Sequence, residues 1–221
     1  MKHIQPSESL ANGLLLAFAG GMMDAYTYLC RGQVFANAET GNLVLLGIHL
    51  AQRDWARALY YLWPILSFAL GVLLTEWLRS HFSPMPGLPH WRQLVLVVEC
   101  GGLLLVSLLP VGPLDWLANV IVSFVSAMQI ESFRKFEGNP FSTTMCTGNL
   151  RSGTEKLYRC LFLREERAGR GARDYYSVIL LFVLGALAGG LCADLLAGRS
   201  ILFACLPLAL AFLLMLRGPR E

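Results

Sequence analysis

Two copies of the tripeptide Thr-Gly-Asn interrupt long apolar stretches of this sequence. They are Thr40-Gly41-Asn42 and Thr147-Gly148-Asn149. A threonine oxygen can cap the start of a helix, and glycine permits unusual backbone angles or a close backbone approach. The free amides and the positive dipole of such a helix start, together with the asparagine side chain, could bind a solute or an ion. The structural alternative is a capped turn between two helices.

Three further polar residues could contribute to the same site. Asp24 lies well inside an apolar stretch, where an ionisable side chain is costly and indicates a function. Its alternative role is an ion pair with Arg31 near the end of that stretch. Glu39 either faces the same central region or is an exposed loop carboxylate, and Gln129 adds a polar group to a later stretch. The predicted binding or pathway residues are Asp24, Glu39, Thr40, Gly41, Asn42, Gln129, Thr147, Gly148 and Asn149.

Apolar stretches of membrane-spanning length must position these residues. Of 221 residues, 55% are hydrophobic and 15% are charged, whereas an average soluble domain is about 25% charged. About 20 apolar residues span the bilayer core as a helix. The predicted spans are Leu10–Leu29, Leu59–Leu78, Leu94–Leu109, Leu117–Phe133, Tyr175–Leu196 and Ile201–Leu216. They leave no room for a folded soluble domain, so the sequence predicts an all-α integral membrane protein.

Other classes of protein are not indicated. The net charge of +3 comes from Lys and Arg residues at the ends of the spans, which predicts no nucleic-acid partner. The six cysteines are scattered and are interpreted as buried thiols. No metalloprotease, hydrolase or phosphate-binding motif is found. We therefore expect no enzyme activity, no catalytic or metal site and no cofactor.

The sequence contains an internal repeat. Leu10–Leu43 aligns without a gap with Leu117–Leu150, matching Leu-Ala-Asn at the start and Thr-Gly-Asn-Leu at the end. Asp24 aligns with Glu131, and the later spans follow in the same order in each half. Such self-similarity indicates that the two halves are built from the same kind of structural unit. We predict a single membrane domain, 1–221, with internal repeats 10–112 and 117–217.

The short segments that begin at the Thr-Gly-Asn copies are predicted to enter the membrane without crossing it. The second segment contains charged residues that cannot face lipid, and these are Arg151, Glu155, Lys156 and Arg159. Six spans with cytoplasmic termini also follow the positive-inside rule. The Lys and Arg residues left outside, of 18 in total, are Arg31, Arg53, Arg57 and Arg199. Three spans per half reverse the second half, so the sequence predicts inverted repeats, each with a re-entrant or broken helix.

The first motif region resembles the signature of the YoaK-like family of bacterial multi-pass inner-membrane proteins, a domain-of-unknown-function family. The matching residues are Gly21, Asp24, Ala25, Tyr28, Leu29, Gly32, Phe35, Thr40, Gly41, Asn42 and Gly47. A later block is similar to the family at Gln129, Arg134, Thr143, Thr144, Thr147 and Gly148. Glu131 departs from the pattern, since an uncharged residue is expected there. The resemblance implies a small multi-pass membrane protein and brings no established activity.

Together these patterns predict a transporter or channel for a small solute or ion in the bacterial cytoplasmic membrane. The pathway would lie between the two repeats. The alternative is a non-transporting scaffold or regulatory protein whose polar motifs serve helix packing. The expected partners are the lipid bilayer and an unidentified small solute or ion, and assembly into a homo-oligomer is compatible with the sequence.

Overall fold

The structure is a computed structural model that describes residues 6–82, 91–136, 139–140 and 146–216. Nearly all of these residues are helical. The α-helices are α1 (Leu10–Cys30), α2 (Glu39–Ala51), α3 (Trp55–Phe82), α4 (Trp91–Leu108), α5 (Asp115–Ser132), α6 (Cys146–Phe162), α7 (Glu166–Leu196) and α8 (Cys205–Leu216). Two 3₁₀ helices, Pro6–Glu8 and Ala197–Ala204, and one antiparallel pair of two-residue strands, β1 (Lys135–Phe136) and β2 (Asn139–Pro140), complete it. The predicted helical class is confirmed.

Four helical segments of the described chain are long and apolar enough to cross a membrane. They are Leu10–Cys30, Trp55–His81, Trp91–Leu108 and the stretch Glu166–Leu216, which contains α7 and α8. Helix α5 falls outside this group because polar residues interrupt its apolar sequence. Four of these polar α5 residues are fully buried against the rest of the protein, namely Asn119, Ser123, Ser126 and Gln129. The protein is therefore a helical membrane protein in which the polar side chains of α5 face the interior.

Helices α1 and α7 pack with their backbones in contact and run in the same direction. Gly185 lies against Phe18 and Gly189 lies against Met22, so positions advance together along both helices. A Cβ atom on Gly185 would lie only 2.0 Å from the Phe18 carbonyl oxygen. Gly185 and Gly189 are four residues apart, a spacing of small residues that predicts close helix packing because it lets helix backbones approach, and the structure shows this contact.

Helices α3 and α5 form a second parallel pair. The Ser67 hydroxyl of α3 donates to the Val120 carbonyl of α5 at 2.8 Å, and Gly71 lies against the Phe124 carbonyl one turn further on. Helices α1 and α5, which begin the two aligned segments, run in opposite directions. The Asn119 amide near the start of α5 donates to the Arg31 carbonyl at 2.7 Å, just past the end of α1.

The end of α1 is anchored by the fully buried side chain of Arg31. Its guanidinium donates to the Tyr26 hydroxyl at 2.7 Å and to Asp115 Oδ1 at 3.1 Å. Three carbonyl oxygens at the end of α4 accept the remaining bonds, those of Val106, Leu109 and Pro110. Arg31, which the sequence predicts to lie on the outer side of the membrane, is buried within the protein and joins α1 to the end of α4 and the start of α5.

Candidate functional site

The chain after α1 folds back along that helix. Val34 and Ala36 are fully buried, and the Asn37 backbone N–H donates to Asp24 Oδ1 at 3.0 Å. Asp24 precedes the last residue of α1, Cys30, by six positions, or about 9 Å at 1.5 Å per residue. Helix α2 therefore begins beside an interior turn of α1 and not beside the end of that helix.

Helix α2 returns towards the end at which the chain entered. Its 13 residues are about 20 Å long, which is shorter than the hydrocarbon core of a bilayer. The His49 ring near its end stacks on Tyr61 of α3 with 5.5 Å between centroids. The neighbouring Tyr60 hydroxyl donates to the Arg31 carbonyl at 2.9 Å. The end of α1, the end of α2 and the start of α3 therefore lie together.

Two of the predicted site residues hold the start of α2 in place. The Glu39 carboxylate accepts hydrogen bonds from the Ser123 hydroxyl of α5 and, at 2.8 Å, from the Asn42 amide. The same amide group donates to the Phe35 carbonyl at 3.0 Å and accepts from the Phe35 N–H at 3.2 Å. Glu39 thus faces the interior, and both side chains already bind this chain.

The predicted helix cap at Thr40 is wrong. Helix α2 begins one residue earlier, after Ala38, and no side chain caps it. Thr40 is an exposed residue in its first turn. Gly41 has ordinary helical backbone, so the expected unusual dihedral is wrong, but a Cβ atom there would lie 3.0 Å from the Phe35 ring. Gly41 is thus explained by close packing.

The second Thr-Gly-Asn copy starts α6 in the same way. This helix begins at Cys146, so Thr147 is again its second residue and the predicted cap there is also wrong. Thr147 and Gly148 are exposed, and Asn149 is buried. Apart from its own stretch of helix, the described residues have no atom within 4 Å of the place that a Cβ atom on Gly148 would occupy. The Cys146 thiol lies close enough to Asp24 for electrostatic interaction. Both short helices therefore begin near Asp24. Thr143 and Thr144 lie outside the described residues.

Asp24 is buried without a cationic partner among the described residues. It is 5% exposed, and its neighbours are the Asn37 N–H and the Glu39 carboxylate. The alternative ion pair with Arg31 is wrong, because that guanidinium binds Asp115.

Sequence reasoning missed Asn37, whose side chain is 2% exposed. Neither its amide nitrogen nor its oxygen has a hydrogen-bond partner in the described part of the chain. Its place in the polar run before Thr40 is the signal that could have identified it.

Gln129 is separated from the other predicted site residues. Its amide lies against the fully buried Glu99 carboxyl group of α4. When the amide is oriented with its nitrogen towards that group, the nitrogen lies 2.7 and 3.1 Å from the two oxygens. Glu131, the counterpart of Asp24, forms an ion pair with Arg134 at 2.9 Å, and Arg134 also binds Glu76 at 3.0 Å. The polar groups of α5 therefore form contacts of their own.

Two observations bear on other kinds of site. An open cleft of about 430 Å³ is lined by Ser107–Pro110, Leu196, Gly198 and Arg199, and none of the predicted site residues lines it. Within residues 6–82, 91–136, 139–140 and 146–216, no group of three His, Cys, Asp or Glu side chains could hold a metal ion. The candidate site is therefore the region where α2 and α6 begin.

A comparison with models of protein families places the chain in a family. No curated protein and no solved structure matches it. A family described as "Protein of unknown function (DUF1275)" matches residues 12–214, a range that contains all of the predicted site residues. The match covers nearly the whole chain and confirms the resemblance seen in the sequence. The chain belongs to the DUF1275 family.

Proposed function

We propose that the protein transports a small solute or ion, as a transporter or a channel, along a pathway between two inverted repeats. The observation that carries the proposal is the buried Asp24, near which both short helices begin. An ionisable residue at such depth is costly and is expected to be retained for function. Non-helical backbone at membrane depth is tolerated where protein buries it or water reaches it.

The helix directions support the inverted-repeat part of the proposal. Under the sequence repeat, α1 corresponds to α5 and α3 corresponds to α7. The pairs α1–α7 and α3–α5 are then equivalent, and both are parallel. Helices α1 and α5 run in opposite directions, as expected when the second repeat is inverted. We assign repeats 10–112 and 117–217 to one membrane domain, 1–221, with six spans.

The proposed arrangement of spans also predicts the membrane location of the protein and its binding partners. We place the protein in the bacterial cytoplasmic membrane with both termini in the cytoplasm, where most of its Lys and Arg residues would lie. Its partners would be the lipid bilayer and the transported solute or ion, and a homo-oligomer is compatible with the exposed apolar helix faces. The proposal requires no chemical conversion of the solute, so the protein is not proposed to be an enzyme.

The test is solute flux into liposomes that contain the purified protein. Asp24→Asn should reduce flux at least about tenfold, which corresponds to a loss of about 1.4 kcal/mol. Glu131→Gln is the matched control at the equivalent repeat position, and it should leave flux unchanged. Wild-type flux from Asp24→Asn would contradict the proposed site. Adding Asn42→Ala and Asn149→Ala gives a broader test, but the first of these also loosens the loop that Asn42 binds.

A non-transporting scaffold is the second candidate function. The observation in its favour is that Glu39 and Asn42 use their polar groups in contacts within the chain. In that case Asp24→Asn and Asn37→Ala would change stability or oligomeric state without any ligand effect. A thermal-shift screen of the detergent-solubilised protein separates the two functions, because only a binding site gives stabilisation that depends on ligand concentration.

A further inference from the structure

We infer that Asp24 and Asn37 bind a small monovalent cation. This inference specifies the class of ion bound at the proposed transport site and therefore rests on the proposed function. Asn37 follows the fully buried residue Ala36, and its backbone N–H holds Asp24 Oδ1 at 3.0 Å. The Asn37 side chain branches from the backbone atom next to this nitrogen, so the loop holds the residue against the Asp24 carboxylate.

The Asn37 side chain is the observation that indicates a ligand. Its oxygen and nitrogen are both buried and both lack a hydrogen-bond partner among the described residues. An unsatisfied buried polar atom costs about 1–3 kcal/mol, so such groups are rare in folded proteins and require an explanation. A ligand that contacts the oxygen and brings its own acceptor for the nitrogen, such as a partly hydrated cation, satisfies both atoms.

The charge of the region selects a cation over an anion. Asp24 and Glu39 lie close enough to interact, and the described chain provides no Lys, Arg or His partner for either. Glu39 is bound by Ser123 and Asn42, whereas Asp24 Oδ2 makes no hydrogen bond to a described residue. A buried acidic side chain without a partner is costly, and a bound cation removes this cost.

The available ligand atoms select a monovalent ion. They are one carboxylate oxygen of Asp24 and one amide oxygen of Asn37, which are hard donors suited to alkali cations. Ca²⁺ takes six to eight oxygen ligands, commonly several carboxylates, and the described residues supply too few here. The aligned acid in the second half, Glu131, is paired with Arg134. Among the described residues, the position equivalent to Asp24 in the second half therefore lacks such a site.

The test is the melting temperature of the protein in detergent at constant ionic strength, with choline chloride replaced stepwise by NaCl, KCl or NH₄Cl. At least one of these salts should raise the melting temperature of the wild type, by about 5–10 °C at 100 times its Kd. Asp24→Asn and Asn37→Ala should each raise the half-saturating concentration at least about tenfold. Glu131→Gln should behave like the wild type.

The Asn37→Ala variant also separates binding from a structural role. Removing an unpartnered amide should leave the melting temperature in choline chloride unchanged or higher, while the response to the cation is lost. A lower melting temperature in choline chloride with the cation response intact would overturn the site. The same applies to a wild type that responds to pH but to none of the three cations.

Flux measurements distinguish this inference from the proposed function. If liposomes show protein-dependent flux that is insensitive to Na⁺, K⁺ and NH₄⁺, transport stands and the cation site is wrong. If the cations stabilise the wild type but no flux of any labelled solute is detected, the site stands and transport is wrong. Parallel loss of cation response and flux in Asp24→Asn, with both kept in Glu131→Gln, supports the two together.

Discussion

Asp24 and Glu131 occupy equivalent positions in the two halves of this chain but have opposite surroundings. Asp24 is buried with no cationic partner among the described residues, beside an unpartnered asparagine amide. Glu131 forms an ion pair with Arg134, whose side chain is half exposed. The two aligned sequence segments thus share the Thr-Gly-Asn tripeptide but differ in the partners of their acidic residues. A shared tripeptide does not imply two equal sites.

The arginine residues that follow α1 and α5 also have different surroundings. After α1, the buried Arg31 binds one carboxylate, one hydroxyl and three carbonyl oxygens. After α5, Arg134 lies at the surface and binds two carboxylates. A buried cation and a surface cation contribute very differently to stability, so this difference can be measured directly.

The largest expected effect is that of Arg31→Met. The substitution leaves Asp115 and three carbonyl oxygens without their donor, and breaking such a buried pair costs about 3–5 kcal/mol. Arg134→Met removes exposed ion pairs and should cost about 0–1 kcal/mol. Thermal or denaturant unfolding in detergent measures both. Equal losses in the two variants would show that the two halves are anchored alike.

The two parallel helix pairs should differ in their tolerance of larger side chains. In α1–α7, a Cβ atom at Gly185 would meet a backbone oxygen at 2.0 Å, whereas in α3–α5 the corresponding distance at Gly71 is 2.5 Å. Gly185→Ala should therefore cost about 1–3 kcal/mol or more, and Gly71→Ala should cost less. The melting temperatures of both variants check this order. Gly101→Ala, at an open position, is the control and should be close to neutral.

The conformation of the loop before α2 should depend on the hydrogen bonds of Asn42. Asn42→Ala removes the donor and acceptor that hold Phe35 and the donor to Glu39, and we expect a loss of about 1–3 kcal/mol. Hydrogen exchange of the amides of residues 33–38 should increase, because the loop loses its attachment to α2. Unchanged exchange in the loop would show that two other hydrogen bonds suffice, from the Asn37 N–H to Asp24 Oδ1 and from the Ala36 N–H to Thr27 Oγ1.

The smallest expected effect is that of Glu131→Gln on stability. Arg134 is half exposed and also binds Glu76, so the loss of its ion pair with Glu131 should cost about 0–1 kcal/mol, and a thermal unfolding curve checks this. The variant matters as a control for Asp24→Asn, since each removes one acid at the same repeat position. A loss greater than 2 kcal/mol would mean that Glu131 is also a structural anchor.

The apolar periods of the sequence predicted the helical frame well because long hydrophobic stretches have few alternatives in a membrane protein. The small-residue pair Gly185 and Gly189 likewise predicted a close helix contact, since little else explains such spacing. The caps at Thr40 and Thr147 were wrong because the helices begin one residue earlier, and in α2 the preceding Glu39 is held by Ser123 from a distant helix. A local motif carries no information about such a contact.

The site was harder to predict because its members come from separate segments. Asp24 was identified by its depth in an apolar stretch, which is a property of the local sequence. Asn37 could not be ranked above its polar neighbours, since its lack of partners depends on how the loop folds back on α1. Gln129 stays a prediction as a site residue, and the sequence does not show that its amide lies against Glu99 of α4.

The pairing of α1 with α7 has a consequence for biosynthesis. The Tyr26 hydroxyl near the end of α1 donates to the Gly198 carbonyl just past α7, a contact across 172 residues. Helix α1 is synthesised first, yet its closest partner emerges last but one. During insertion, the face of α1 that carries Phe18 and Met22 therefore stays without its α7 partner until most of the chain has been made.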